Sequence, residues 1–423
     1  ALVFFVLWGA FEGGAGEIKE RFFKISRHPL FIAVSAFVFF YLLASVFAYD
    51  PIAAFWSNYE RGEGSFQMLH YYLFFVLLIS LFKNKRDWQL AFRFSLGVAG
   101  LMILYGIFAQ LGWVSSFISP YRGSPPDGFW HRLVDARFHA TLGNPSYVAP
   151  YLMFTIFYAG YLWLSRNWKN KYYQGLAYGS LIFIFLFFFS LSRTRGTIIG
   201  LFVALLVFLG YLIFAGRARI KKWGAIILGV ILVVSAFGWV YRDTSLVKSL
   251  PGGRVFEINF NNRDVETRFW TWGSAWEGFK DRPILGWGQE NFGLVFDLNF
   301  NPNHYLPNAE SETWFDRAHS IVFDSLAETG ILGFLSYVSI FVIFYWLIIK
   351  KYLIERKEKF ESGELSPLAS TILTGMILAI PVGYLVQGLF LFDVLPIYLN
   401  LFLFLAFTYF QFSQLSDNKN SAK

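Results

Sequence analysis

The sequence predicts an all-α polytopic membrane protein with about ten full transmembrane helices, a truncated helix ahead of them, and one large, mostly helical loop outside the membrane. Three observations carry this expectation. Of 423 residues, 56% are hydrophobic and 15% charged, whereas soluble domains run at roughly 45–50% and about 25%. The 52 Phe and 15 Trp are more than a water-soluble globule of this size can bury. Apolar runs of roughly 18 or more residues recur, each long enough to cross a bilayer. Soluble enzymes, disordered chains and nucleic-acid-binding proteins are thereby excluded as classes. The formal net charge of +8 points to cytoplasmic loops, not to a polyanion site. With no cysteine present, disulfides, thiolate nucleophiles and Cys-ligated zinc are ruled out.

The elements follow in order. The apolar stretch from Leu2 to Phe11 is too short to span and has no cationic segment before it, so it reads as the tail of a truncated helix and not as a signal peptide. Full spans are expected at 30–49, 67–82, 88–113, 145–165, 175–191, 196–215, 224–241, 331–349, 370–392 and 394–412, the second being the shortest. Alternate connections (12–29, 83–87, 166–174, 216–223, 350–369 and the tail 413–423) hold 21 Lys and Arg, against 6 in the opposite set (50–66, 114–144, 192–195 and residue 393). Positive charge marks the cytoplasmic side, so the first set and the C-terminus are inside. The expected organisation is N-terminal transmembrane helices over 1–241, an external cap over 242–330, C-terminal transmembrane helices over 331–412, and a cytoplasmic tail over 413–423.

The long connection 242–319 holds eight basic residues, eleven acidic ones and five Trp (Trp270, Trp272, Trp276, Trp287 and Trp314). It is too aromatic for disorder and too long for a plain connector. Asp264 is placed to cap a helix running to about Lys280, stopped by Asp281-Arg282-Pro283 and Gly286-Trp287-Gly288. A second helix is expected over Glu312 to Glu328, ending at Gly330.

Ionisable groups at a bilayer edge are candidates for function. Arg193 and Arg195 lie in the short outer connection Ser-Leu-Ser-Arg-Thr-Arg-Gly, where two guanidiniums suit a phosphate; the competing reading is a pair of interface anchors. Arg93 is the one clear basic residue within a span, near enough to its cytoplasmic end to snorkel. Of six His, His28 and His70 read as structural. His319 stands where the long loop re-enters the membrane, on an expected helix with Asp316 one turn earlier. Histidine exchanges protons near neutrality, so this one suits a general base, with a solvated helix-start residue as the alternative. His304, Glu310, Glu312, Asp316 and His319 offer metal-ligand chemistry but no HExxH-type spacing, so no metal is expected. No P-loop, GxSxG or GxGxxG fingerprint is present. The loop Trp residues suit either sugar stacking or packing of the cap.

Two long stretches, Thr267-Arg268-Phe269-Trp270 through Asp281-Arg282-Pro283-Ile284-Leu285-Gly286-Trp287-Gly288 and Ala318-His319-Ser320 through Leu326-Ala327-Glu328-Thr329-Gly330-Ile331-Leu332-Gly333, resemble the O-antigen ligase and polymerase family. The segment from Arg137 to Ala149 with Thr141-Leu142-Gly143-Asn144-Pro145, and Ser192-Arg193-Thr194-Arg195-Gly196, resemble it too. The resemblance implies a bacterial inner-membrane glycosyltransferase whose site faces the periplasm. It implies an undecaprenyl-diphosphate-linked glycan as donor, a glycolipid or protein acceptor, and no cofactor. By motif, His319 is the implied catalytic residue, and Arg195, Arg268, Arg193 and Arg137 are the implied diphosphate ligands. Ser320 departs from the pattern, since an Asn often follows the His. The resemblance implies inversion at the anomeric carbon by direct displacement. Ligation to lipid A core is the reading taken forward; O-unit polymerisation and transfer to protein Ser or Thr are of the same family, and a solute transporter is the rival of another class. The sidedness is open to direct test: reporters fused at residue 220 and at residue 290 are expected on opposite faces of the membrane, and the same face for both would contradict the charge reading.

Overall fold

The computed structural model of the chain describes residues 23–58, 62–114, 127–134, 136–165, 170–249, 253–257, 263–305, 313–350 and 367–420. The truncated leading helix expected at Leu2 to Phe11 lies outside these. Among the described residues all regular structure is helical. The α-helices are α1 (Pro29–Val46), α2 (Pro51–Trp56), α3 (Ser65–Leu81), α4 (Lys85–Gln110), α5 (Phe129–Val134), α6 (Pro145–Ser165), α7 (Lys171–Leu191), α8 (Arg195–Ala215), α9 (Ala218–Val240), α10 (Ser245–Ser249), α11 (Arg263–Asp281), α12 (Phe292–Leu298), α13 (Ile321–Ile348), α14 (Pro367–Gly388) and α15 (Leu395–Asn420).

Nine of the described helices are long and apolar enough to cross a membrane. They coincide with nine of the ten expected spans. The tenth, α3, has 17 residues. At 1.5 Å per residue it reaches about 25 Å, short of the ~30 Å hydrocarbon core. The helix starts follow local chemistry. Asp50 Oδ1 accepts from the Ile52 and Ala53 N–H groups, with Pro51 as the first helical residue of α2. Asn84 and Asp87 close a reciprocal capping box on α4. In α11, Asp264 and Glu266 occupy the first turn and Lys280 the last, which complements the helix dipole.

The chain divides into two compact units. One comprises the described residues of Ala1–Lys83, Phe260–Arg356 and Gly388–Lys423. Within it α13 packs along α1, α15 along α3, and α11 and α12 pack against α13. The other comprises the described residues of Asn84–Asn259 and Lys357–Gln387, in which α6 packs against α4 and α7, and α8 against α9.

Two stretches that the sequence singled out meet in the first unit. Helix α13 breaks at Gly330, whose φ of 62° and ψ of −168° lie outside helical space. The break leaves backbone groups to be satisfied elsewhere, and the Pro283–Gly288 turn does so. Trp287 N–H donates to Ala327 O (2.9 Å) and Gly288 N–H to Glu328 O (2.8 Å), while Ile331 N–H donates to Pro283 O (2.8 Å). A Cβ on Gly330 would collide with the Ile284 carbonyl, and one on Gly286 (φ 69°) with the Ala327–Glu328 backbone. The clasp is closed underneath by Ala275, Trp287, Phe292, Val295, Phe296, Phe315, Ala318 and Ala327.

Two expectations are corrected. The helix expected from Glu312 starts at Ile321, because the backbone just before it is held by side chains in a non-helical path. The span expected to run to 392 ends at Gly388, and the irregular stretch that follows presents the Phe390 carbonyl to an arginine.

Candidate functional site

The short segment entering α13 carries His319, and several of its backbone groups have partners on another element or further along the chain. Ala318 N–H donates to Asp324 Oδ1 at 2.6 Å. Ala318 O accepts from Trp272 Nε1 at 2.9 Å. Arg268 Nη1 on α11 donates to Phe390 O at 2.6 Å and, more weakly, to His319 O at 3.4 Å. His319 is therefore not on a helix, as the sequence reading had it: its φ is +57°, a left-handed conformation that a non-glycine residue adopts at some cost. Its ring is half-buried between Phe315 and Phe392, edge-on to both. Nδ1 lies 3.1 Å from the Arg317 carbonyl. A carbonyl only accepts, so Nδ1 donates, and the neutral ring has Nε2 as its proton-accepting nitrogen.

Beneath this segment lies a buried ion cluster. Arg317 is 4% exposed. Its Nη1 donates to both carboxylate oxygens of Glu328, each at 2.8 Å. Its Nη2 reaches Glu290 (2.6 Å) and Glu63 (3.1 Å). Burial alone would lower the pKa of this guanidinium, but Glu328, Glu290 and Glu63 outweigh it and hold it well above the ordinary value. Glu63 precedes α3, Glu290 precedes α12, and Glu328 lies on α13, so one side chain ties three distant stretches to the residue two before His319. A small cavity adjoins the cluster, lined among others by Tyr41, Glu63, Arg317, Asp324, Glu328 and Asp393.

The other candidates lie in the second unit. Arg137 Nε donates to Ser192 O (3.0 Å) and its Nη2 to Thr194 Oγ1 (3.3 Å). Arg193, at φ +52°, donates from Nη2 to Val134 O (2.7 Å). These bonds, with Phe138 N–H to Leu191 O (3.0 Å), bind residues 134–138 to the 191–194 connection. Arg195, half-buried, is the first residue of α8. The structure thus brings His319 together with Arg268, and Arg137 together with Arg193 next to Arg195.

Other expectations resolve residue by residue. His304 is fully buried among Trp270, Phe296, Phe300 and Phe315; burial first, and Arg263 second, lower its pKa. Glu310 and Glu312 lie outside the described residues, and among those described no three His, Asp or Glu are arranged to hold a metal. Trp287 and Trp272 serve packing, the first donating to Gly278 O (2.7 Å), while Trp276 and Trp314 are exposed. Sequence reasoning missed Arg317, Glu63, Glu290 and Asp324 altogether. The available signal was Glu328, a carboxylate inside the apolar run from Leu326 to Ile331, which demands a buried cation.

The long apolar helices define a multi-pass membrane protein. Residues 180–338 match the family model described as O-antigen ligase, so this segment is similar to that family. No curated protein gives a significant match. The family implies glycosyltransferase-type activity, and its matched segment holds Arg193, Arg195, Arg268, His319 and the Arg317, Asp324 and Glu328 side chains. The buried cluster makes a stability prediction. Arg317→Met should cost about 3–5 kcal/mol, because three buried carboxylates lose their counter-charge. Glu290→Gln should cost less, since two carboxylates remain on the guanidinium. Thermal midpoints of the purified variants check this; an unchanged midpoint for Arg317→Met would contradict it.

Proposed function

We propose that this chain transfers a glycan from an undecaprenyl-diphosphate carrier to an acceptor hydroxyl, as in ligation to lipid A core, at the periplasmic face of a bacterial inner membrane. The observation that carries the reading is the meeting of His319 and Arg268 in the segment matched to the O-antigen ligase family. In this reading the acceptor oxygen attacks the anomeric carbon and the bond from that carbon to the phosphate oxygen breaks. The hydroxyl proton passes to His319 Nε2, and the diphosphate leaves on its prenyl carrier. A single displacement inverts the anomeric centre. Charge develops on the leaving diphosphate, and fixed guanidiniums at a low-dielectric interface stabilise it. Arg268 and Arg195 take that role. Arg137 and Arg193 support Arg195 by holding its connection in place. The stretch over 242–330 acts as a periplasmic cap above the sugar.

The test separates chemistry from folding. In single-turnover transfer with saturating donor, His319→Ala and His319→Gln should be slower by about 10²–10⁴-fold at unchanged thermal midpoint and donor affinity. Arg268→Lys and Arg195→Lys keep the charge but lose the planar fork, and should lose most of the transfer. Wild-type rates in both His319 variants would overturn the assignment.

A further inference from the structure

One buried carboxylate near the site has no place in the reading above. Asp324, in the first turn of α13, is 6% exposed. Its Oδ1 accepts the Ala318 N–H at 2.6 Å. That N–H belongs to the same planar peptide unit as the Arg317 carbonyl, which accepts from His319 Nδ1 at 3.1 Å. The chain has no cis peptide among its described residues, so the N–H and C=O of this unit point in opposite directions. Carboxylate, peptide and imidazole are thus strung head to tail: the carboxylate holds the N–H, and the far side of the same plane presents its oxygen to the ring.

We propose that Asp324 is a positioning residue for His319, acting through the Arg317–Ala318 peptide. It fixes the plane and so fixes which ring nitrogen carries the proton. Its negative charge, passed along the aligned peptide dipole, also favours the protonated ring that forms when His319 takes the acceptor proton. A carboxylate hydrogen-bonded directly to a catalytic imidazole does the same work; here a peptide unit is interposed. Arg268 on α11 donates to the His319 carbonyl, and the charged residues Asp316 and Arg317 precede His319 in its own segment. The charged groups facing Asp324 across the cavity are Arg317, Glu63, Glu328 and Asp393. Arg317 is the one cation common to both groups, and its anchoring by three carboxylates keeps the relaying peptide in place. The proposal rests on His319 being the general base, so it is tested by two readouts, one of which is independent of activity.

The experiment uses full-length protein with isotopically labelled histidine and compares wild type with Asp324→Asn. This change keeps side-chain shape and removes charge from a site already rich in carboxylates, so folding should survive it. Asp324→Glu serves as the charge-retaining control. The first readout is the NMR titration of His319, assigned among the six histidines by difference with His319→Gln. Wild type should show the proton on Nδ1 in the neutral ring. Loss of a nearby negative charge makes the ring less basic, so in Asp324→Asn the titration should move to lower pH by roughly one unit. The second readout is the pH profile of transfer. Its acid limb should move to lower pH by the same amount, with a plateau about tenfold lower. Asp324→Glu should restore the position of the limb. A merely structural Asp324 would lower the amplitude and leave both pH values where they are, which would overturn the proposal. A shifted titration beside an unshifted transfer profile would support the positioning role and instead refute His319 as the base.

Discussion

Arg317 is a cation taken out of water, and the arrangement around His319 depends on how that charge is met. An unpaired guanidinium at this depth would be prohibitively costly. Three carboxylates from three separate stretches meet it, and each is drawn to one point in doing so. The attraction of these carboxylates outweighs the effect of burial and raises the pKa of the guanidinium. Replacing such a cluster by apolar side chains is often neutral or stabilising, so its value here lies in specificity of position. It fixes the residue two before His319, in a segment whose left-handed φ would otherwise relax.

The same constraint explains why the entry to α13 is irregular. A helix begun at Glu312 would have carried His319 round on regular turns and used the Ala318 N–H within its own ladder. Instead Asp324 takes that N–H and Trp272 takes the Ala318 carbonyl, so α13 begins at Ile321. One further turn along, Glu328 leaves its side chain with Arg317 and its carbonyl with Gly288. The break at Gly330 allows both. The glycines at 286 and 330 are needed because the two backbones approach too closely for a Cβ. The turn and the kink that the sequence presented as separate motifs are two sides of one clasp.

The spans were readable because a bilayer imposes one length and one polarity on every crossing, and α11 because its start and stop residues are local. His319 and Arg268 were singled out by the motifs in which they sit. Arg317 was not, because nothing within a few residues of it announces a buried ion. Its partners lie 254, 27 and 11 positions away, and charge pairing across such separations leaves no periodic trace. The left-handed backbone of His319 was likewise invisible, since the pattern around it favours a helix and the bonds that prevent one come from Trp272 and Arg268, far off in the chain. Arg193 reads as a phosphate ligand by type and placement, and Arg137 by the motif in which it sits. Their carbonyl partners, which turn them into braces for the 191–194 connection, emerge only in three dimensions.

The central claim is that this chain performs group transfer at its outer face, using a fixed imidazole and guanidiniums. It is met most directly by reconstituting the purified protein in vesicles with a glycan on undecaprenyl diphosphate and an acceptor glycolipid outside. Two products are then followed together, glycan bound to acceptor and undecaprenyl diphosphate freed of sugar. The account predicts that both appear in equal amounts and only when the acceptor is present. Movement of a solute across the membrane with no freed carrier diphosphate, in the presence of the acceptor, would contradict it and point to transport instead.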